Sequence, residues 1–139
     1  MDCVQDWMST EVVCTAPTAT AQEAFVLMSQ RRVRHLLVKR ADELVGILSN
    51  RDVVRAALAH PGKVLDLGRT RVEDIMTPSP LLVTKPEASL AEAARLLHDF
   101  QVSALPVLSE GTVLGIITTS DFLRSYFQGV EALITGDQG

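Results

Sequence analysis

The amino-acid sequence contains the same seven-residue phrase twice, and this repetition constrains the fold more than any other feature. The phrase reads G-I-L-S-N-R-D at Gly46–Asp52 and G-I-I-T-T-S-D at Gly115–Asp121, a spacing of 69 residues. At that spacing, 12 of 39 aligned pairs are identical. Near the N-terminus the spacing is 68, because Asp6–Met8 aligns with Asp74–Met76. The chain is therefore a tandem repeat, and we expect two equivalent sites facing one cleft.

Each copy of the repeat has the pattern of a strand, a helix, two strands and a final helix. Short apolar runs predict the strands, and apolar residues at helical spacing predict the helices. A copy of about sixty residues would be marginally stable alone, so the two copies need each other. We predict an α+β fold in which two βαββα repeats pack with pseudo-two-fold symmetry into one compact module. The predicted division is repeat 1 at residues 1–60, a linker at 61–71, repeat 2 at 72–129 and a C-terminal tail at 130–139.

Capping residues predict where the helices begin and end. Thr20-x-x-Glu23 and Ser89-x-x-Glu92 read as capping boxes at the start of the first helix of each copy. The tripeptide His60-Pro61-Gly62 is expected to end the second helix of copy one, since proline cannot continue a helix. The last helix is predicted to begin at Thr118 and to end near Gln128-Gly129, leaving a tail with at most one weak turn.

The charge balance argues against nucleic acid and membranes as main partners. The chain has 13 Lys and Arg against 17 Asp and Glu residues, a formal net charge of -4. Such a chain is poorly suited to nonspecific binding of nucleic acid or of an acidic membrane surface. No stretch approaches the roughly 20 apolar residues of a membrane span, and the N-terminus lacks the features of a signal peptide. We therefore expect a cytoplasmic protein.

The cysteines and histidines indicate neither a disulfide framework nor a metal site. Cys3 and Cys14 lie outside any C-x-x-C arrangement and are expected to be reduced thiols. The histidines His35, His60 and His98 do not have the spacing of metal ligands. We predict no structural metal and no obligatory cofactor.

The repeated phrase has a purely structural interpretation. Ser49-x-x-Asp52 and Thr118-x-x-Asp121 place a hydroxyl at the N-cap and a carboxylate in the first turn, where both satisfy free N–H groups. Gly46 and Gly115 would then permit close packing or a bulge in the preceding strand. Helix capping alone would explain both motifs.

The same atoms also suit a nucleotide. A helix N-terminus with exposed N–H groups and a hydroxyl can bind phosphate, and a nearby carboxylate can accept hydrogen bonds from two ribose hydroxyls. A base would need an apolar slot with backbone partners beside it. Candidates for that slot are Val33, Leu36 and Ile47 in copy one and Val102, Leu105, Pro106 and Ile116 in copy two.

Several motifs together resemble a known family. These are the V-S-A-L-P-V segment at Val102–Val107, the M-T-P segment at Met76–Pro78 and the doubled G-h-h-[ST]-x-x-D phrase, where h is apolar. In this order they resemble a pair of CBS (cystathionine β-synthase) domains, a Bateman module, over about Val4 to Gln128. The resemblance implies an adenosyl ligand, such as AMP, ADP, ATP or S-adenosylmethionine, in clefts between the repeats.

The resemblance also implies roles for particular residues. Asp52 and Asp121 would hold ribose hydroxyls, with Ser49 and Thr118 near ribose or phosphate. The segments 33–37 and 102–106 would border the base. The predicted ligand-binding residues are Val33, Arg34, His35, Leu37, Ser49, Arg51, Asp52, Thr77, Pro78, Val102, Ser103, Ala104, Pro106, Thr118, Ser120 and Asp121.

The two copies differ where a phosphate would lie. Copy one carries Arg34, His35 and Arg51, and in this family basic groups just before the L-P-V strand can reach phosphates. The corresponding residues of copy two are uncharged: Ser103, Ala104 and Ser120. Copy one also departs from the family pattern, because Leu37 stands where copy two has Pro106.

No nucleophile, base and orienting group converge in the sequence, so we predict a non-enzymatic protein. The leading hypothesis is a regulatory module that binds an adenosyl ligand and passes a conformational change to an unknown effector protein. The resemblance implies a homodimer. The alternative is a dimerisation or scaffold module with vestigial ligand sites. Trp7 is expected to pack against the partner repeat or another subunit rather than to stack on a ligand.

Overall fold

The computed structural model describes residues 2–59, 62 and 66–135. The chain forms two compact units, one continuous in sequence and one made of two separate segments. One comprises Val12–Leu81, and the other combines Met1–Glu11 with Leu82–Gly139. Each unit therefore contains the hairpin and helices of one sequence copy together with the segment that begins the other copy. The structure confirms a mixed α+β architecture with two repeats of sheet and helices.

The Val12–Leu81 unit contains a four-stranded sheet with the order β1-β2-β3-β4. Its central hairpin is antiparallel, β1 joins β2 in parallel, and β4 joins β3 antiparallel. Its elements are β1 Cys14–Thr15, α1 Ala21–Arg31, β2 His35–Arg40, β3 Glu43–Ser49, α2 Asn50–Leu58, α3 Val72–Ile75 and β4 Thr77–Pro78.

The second unit repeats this plan around another antiparallel hairpin. Isolated bridges replace the two edge strands: Ser9 pairs with Ile116, and Thr84 pairs with Val107. The elements of this unit are a 3₁₀ helix at Val4–Asp6, α4 Leu90–Phe100, β5 Ala104–Ser109, β6 Thr112–Thr118 and α5 Thr119–Thr135.

An aliphatic core lies in each unit. In the first, the buried residues Leu36, Val38 and Leu48 of the hairpin pack with Ala24 and Met28 of α1. In the second, Leu105, Val107 and Ile117 pack with Ala93 and Leu97 of α4. Because apolar burial contributes about 25 cal/mol per Å², these alternating strand residues provide the main stabilisation of each hairpin.

The predicted helix starts are confirmed. The Thr20 hydroxyl accepts a hydrogen bond from the Glu23 amide at 3.1 Å, and the Ser89 hydroxyl accepts one from the Glu92 amide at 3.1 Å. Helix α2 ends at Leu58, with Ala59 as its C-cap. The predicted stop at His60-Pro61 lies outside the described residues.

The predicted end of the last helix is wrong. Helix α5 continues through Gly129 to Thr135 instead of ending near Gln128. A single glycine weakens a helix by only about 1 kcal/mol, and the residues that follow it include the good helix formers Glu131, Ala132 and Leu133. The penalty at Gly129 is therefore insufficient to stop the helix.

The repeated glycines allow a close approach between backbones. A Cβ atom on Gly46 would lie 2.5 Å from the Met76 sulfur and 2.9 Å from the Thr77 carbonyl oxygen. A Cβ atom on Gly115 would lie 2.5 Å from the Ser9 carbonyl oxygen. Both hairpins also have a register shift opposite these glycines. The sequence-based expectation of close packing or a bulge is confirmed on both counts.

We expect Gly115→Ala to lower the free energy of unfolding by about 1–3 kcal/mol, because the added methyl group meets a backbone carbonyl that cannot move freely. Gly129→Ala is a matched control, since a Cβ atom at Gly129 meets nothing within 4 Å. That change should stabilise the protein by up to about 1 kcal/mol. Urea denaturation measures both, and equal stabilities for the two variants would contradict the close-approach argument.

Candidate functional site

The junction between β3 and α2 is held by a reciprocal cap. The Ser49 amide donates to Asp52 Oδ2 at 2.8 Å, and the Asp52 amide donates to the Ser49 hydroxyl oxygen at 3.1 Å. This pair satisfies two amide groups at the start of α2 and fixes the position of the Asp52 carboxylate. In the described part of the chain, Asp52 Oδ1 has no hydrogen-bond or salt-bridge partner.

The equivalent junction between β6 and α5 adds an ion pair. The Thr118 amide donates to Asp121 Oδ2 at 2.8 Å, and the Thr118 hydroxyl donates to the same oxygen at 3.3 Å. The other carboxylate oxygen, Oδ1, lies 3.1 Å from Arg124 Nη2. Asp121 is only 7% exposed, so its carboxylate is buried and has donors at both oxygens.

Arg124 is in turn held by Trp7. Its Nη2 atom donates to the Trp7 carbonyl oxygen at 3.1 Å, and its guanidinium carbon lies 5.6 Å from the centre of the indole ring. Trp7 packs against the core of the Leu82–Gly139 unit, as expected for a tryptophan that contacts the partner repeat. A cation over an indole ring gains about 0.5–1 kcal/mol at an exposed site.

Each hairpin brings the start of its first strand beside the helix N-terminus. His35 is the cross-strand partner of Ser49, and the Asn50 amide donates to the Arg34 carbonyl oxygen at 3.0 Å. In the other unit, Ala104 is the partner of Thr118, and the amide of Thr119 donates to the Ser103 carbonyl oxygen at 3.0 Å. The structure therefore brings together the strand and helix residues that the sequence pattern placed in one site.

His35 is a titratable group whose surroundings shift its pKa. Burial lowers the pKa of its imidazole below the usual 6.5, and the nearby charges of Arg34 and Arg51 lower it further, while Asp52 acts in the opposite direction. The charged imidazolium is disfavoured where it is desolvated and close to two guanidinium groups. The neutral imidazole is therefore the favoured form of His35 in the folded protein.

The predicted site residues differ widely in exposure. The exposed ones are Arg34, Arg51, Thr77, Pro78 and Ser120; the partly buried ones are Val33, His35, Ser49, Asp52, Val102, Ser103 and Thr118; the buried ones are Leu37, Ala104, Pro106 and Asp121. Val33 and Val102 also pack against the hydrophobic cores of their units. At the β3–α2 junction Arg34 and Arg51 are exposed and Asp52 is partly buried, so these polar side chains are the part that a ligand can reach.

Thr77 and Pro78 pair with β3, the strand that leads into the β3–α2 junction, although in the sequence they follow the predicted linker. In β4 they pair with Ile47 and Gly46 of β3. Sequence reasoning missed the equivalent residue of the other unit, Ser9, which bridges to Ile116 of β6. The signal was present, because the 68-residue spacing at the N-terminal edge aligns Ser9 with Thr77.

Arg124 was also missed as a partner of the second carboxylate. Both copies carry an arginine three residues after the aspartate, Arg55 and Arg124, and residues at that spacing share one helix face. The spacing could have suggested an ion pair in each copy. The structure shows that, among the described residues, this ion pair forms in copy two, between Asp121 and Arg124.

The comparisons with known proteins identify the family. A family model described as CBS domain matches residues 4–59 and 72–127. The chain therefore belongs to the CBS domain family and carries two copies of the domain, a tandem arrangement typical of regulatory modules.

Two curated relatives and one solved structure illustrate the similarity. The CBS domain-containing protein YhcV of Bacillus subtilis is 33% identical over 121 residues, which is 87% of this chain and 83% of YhcV. Inosine-5'-monophosphate dehydrogenase of Korarchaeum cryptofilum is 34% identical over 80% of this chain, but only 21% of the enzyme is covered. A hexameric CBS-CP12 protein from bloom-forming cyanobacteria matches with a TM-score of 0.79 and 32% identity over 88% of this chain and 66% of its own.

The described residues contain no group of His, Cys, Asp and Glu side chains placed to hold a metal ion. Within the same part of the chain, every helix is too short or too polar to cross a membrane.

The depressed pKa of His35 predicts a pH dependence of stability. Between the folded and unfolded pKa values the unfolded state binds more protons, so the free energy of unfolding should fall as the pH drops below about 6.5. His35→Gln should weaken this dependence between pH 7.5 and 5.5, as measured by urea denaturation. His98→Gln is the control, because the His98 side chain is 90% exposed. Identical pH profiles for wild type and His35→Gln would contradict the assignment.

Proposed function

We propose that this protein is a non-enzymatic regulatory module that binds an adenosyl ligand at a strand-to-helix junction and transmits the change to a partner protein. The ligand class is AMP, ADP, ATP or S-adenosylmethionine. The observation that carries the proposal is the carboxylate of Asp52, which is held at a helix N-terminus with one oxygen, Oδ1, still available for hydrogen bonding among the described residues.

Ribose is a good chemical match for this carboxylate. Two neighbouring hydroxyl groups can both donate to one carboxylate, which has about four lone-pair sites. The Ser49 amide already occupies Asp52 Oδ2 and orients the group. The side chain therefore needs little further ordering when a sugar binds, and that lowers the entropic penalty of binding.

The surroundings of Asp52 favour an anionic group on the ligand. Arg34 and Arg51 are exposed at the same junction, and the start of the nine-residue helix α2 offers backbone amides. Guanidinium groups bind phosphate through paired, charge-assisted hydrogen bonds. A bound phosphate would also favour the protonated form of His35, opposing the effect of the two arginines on its pKa.

The comparisons support a regulatory rather than catalytic role. The match to the dehydrogenase covers only 21% of that enzyme, so it concerns the CBS region and transfers no catalytic activity. YhcV, which this chain covers over 83% of its length, is described only by its CBS domain. A module of this kind acts by changing its own conformation or rigidity when a ligand binds.

A scaffold function is the second candidate, and exposed apolar residues favour it. Val54 and Leu58 of α2 are 56% and 73% exposed, and the equivalent residues of α5, Leu123 and Phe127, are 58% and 60% exposed. Apolar surface of this kind marks a surface for association. The similarity to a hexameric CBS-CP12 protein agrees with self-association, for which we propose a homodimer.

We expect AMP, ATP or S-adenosylmethionine at millimolar concentration to raise the melting temperature. A ligand at 100 times its dissociation constant stabilises the folded state by about 2.7 kcal/mol. Asp52→Asn should abolish most of that shift, because the neutral amide accepts fewer hydrogen bonds from ribose. The control is Asp42→Asn in the exposed turn between β2 and β3.

Differential scanning fluorimetry on wild type and both variants, each compared with its own ligand-free melting temperature, measures the effect. Unchanged melting of the wild type with every adenosyl ligand would leave the scaffold as the better hypothesis. Equal shifts in Asp52→Asn and Asp42→Asn would contradict the ribose assignment.

A further inference from the structure

We propose that Arg124 closes the second junction, so that the chain carries one nucleotide site, at Asp52, rather than two. This inference rests on the proposed function and concerns how many of its sites are open. It starts from a pair of residues that the two copies share and that the structure uses differently.

Both copies have an aspartate and an arginine three residues apart. In copy two, Asp121 Oδ1 and Arg124 Nη2 are 3.1 Å apart. In copy one, no salt bridge joins Asp52 to Arg55 among the described residues. Identical side chains at identical spacing therefore give different contacts, so the cause must lie outside the repeated phrase.

Trp7 provides the difference. Its carbonyl oxygen accepts a hydrogen bond from Arg124 Nη2 at 3.1 Å, and its indole ring lies under the guanidinium at 5.6 Å. At the 68-residue spacing the equivalent of Trp7 is Ile75, which has no aromatic face for Arg55. Arg124 is thus positioned by three contacts, and the tryptophan contributes two of them.

Three contacts matter because a half-exposed arginine holds a carboxylate only weakly by itself. The Arg124 side chain is 53% exposed, whereas that of Asp121 is 9% exposed. Exposed ion pairs contribute little stability, but removing the partner of a buried carboxylate is unfavourable. A ribose that displaced Arg124 would have to replace this charged partner with two neutral hydroxyl groups.

The other residues of the second junction could not compensate a ligand for the loss of this ion pair. Ser103, Ala104 and Ser120 stand where the first junction has Arg34, His35 and Arg51. A phosphate at the second junction would therefore meet no basic side chain at these three positions. The first junction combines an available carboxylate oxygen with basic groups. At the second junction Arg124 occupies the carboxylate, and the three matching positions are uncharged.

Isothermal titration calorimetry with ATP tests the proposal on the full chain. We expect the wild type to bind one ATP per chain, and Asp52→Asn to weaken that binding at least tenfold. Asp121→Asn should leave both the stoichiometry and the dissociation constant within twofold of wild type. Arg124→Met should free Asp121 and add a second, weaker site, because the three matching positions at this junction are uncharged. The matched change Arg55→Met should leave the stoichiometry at one.

A stoichiometry of two for the wild type, with one site lost in Asp121→Asn, would overturn the single-site inference and leave the proposed function intact. A stoichiometry that stays at one in Arg124→Met would also overturn the assigned role of Arg124. No binding of ATP, AMP or S-adenosylmethionine by any variant would instead overturn the proposed function.

Urea denaturation provides a second test, which does not need ligand binding and remains informative if Asp121→Asn folds poorly. The buried, ion-paired Asp121 should matter more for stability than Asp52, so Asp121→Asn should lower the denaturation midpoint more than Asp52→Asn does. A smaller decrease for Asp121→Asn would contradict the ion pair without reference to any ligand.

Discussion

The close backbone approach at two repeated glycines is the contact on which each unit depends. Gly46 and Gly115 lie in the second strand of each hairpin, and a side chain there would collide with Thr77 or Ser9. Both segments come from the beginning of the other sequence copy. Without them the edge of each hairpin would lose backbone hydrogen bonds that buried strands require. A single copy therefore lacks part of its own sheet.

The strand-to-helix junctions show how one group of atoms can serve both folding and binding. At Asp52 the carboxylate caps α2 through one oxygen, and this role by itself explains the serine and the aspartate of the motif. The cap also fixes the carboxylate where a sugar can reach it. Capping and ligand binding are therefore compatible functions of the same residues, and the sequence motif alone cannot separate them.

The two junctions have diverged more than their shared phrase indicates. The basic residues of the first, Arg34 and Arg51, have uncharged counterparts in the second, while Asp121 pairs with Arg124 over Trp7. Sequence reasoning recognised the difference in charge but not the ion pair. The ion pair depends on Trp7, which is more than a hundred residues away and outside the repeated phrase.

The sequence by itself determined the tandem repeat, the α+β class and the helix caps at Thr20, Ser49 and Ser89, because these depend on local spacing and hydrogen bonding. It was wrong about the end of α5, where the weak preference of one glycine was overruled by its neighbours. Only the tertiary structure decided which segment completes each sheet and which aspartate is occupied. Those outcomes depend on contacts between residues far apart in the chain, and a local pattern does not specify which distant segment a strand pairs with.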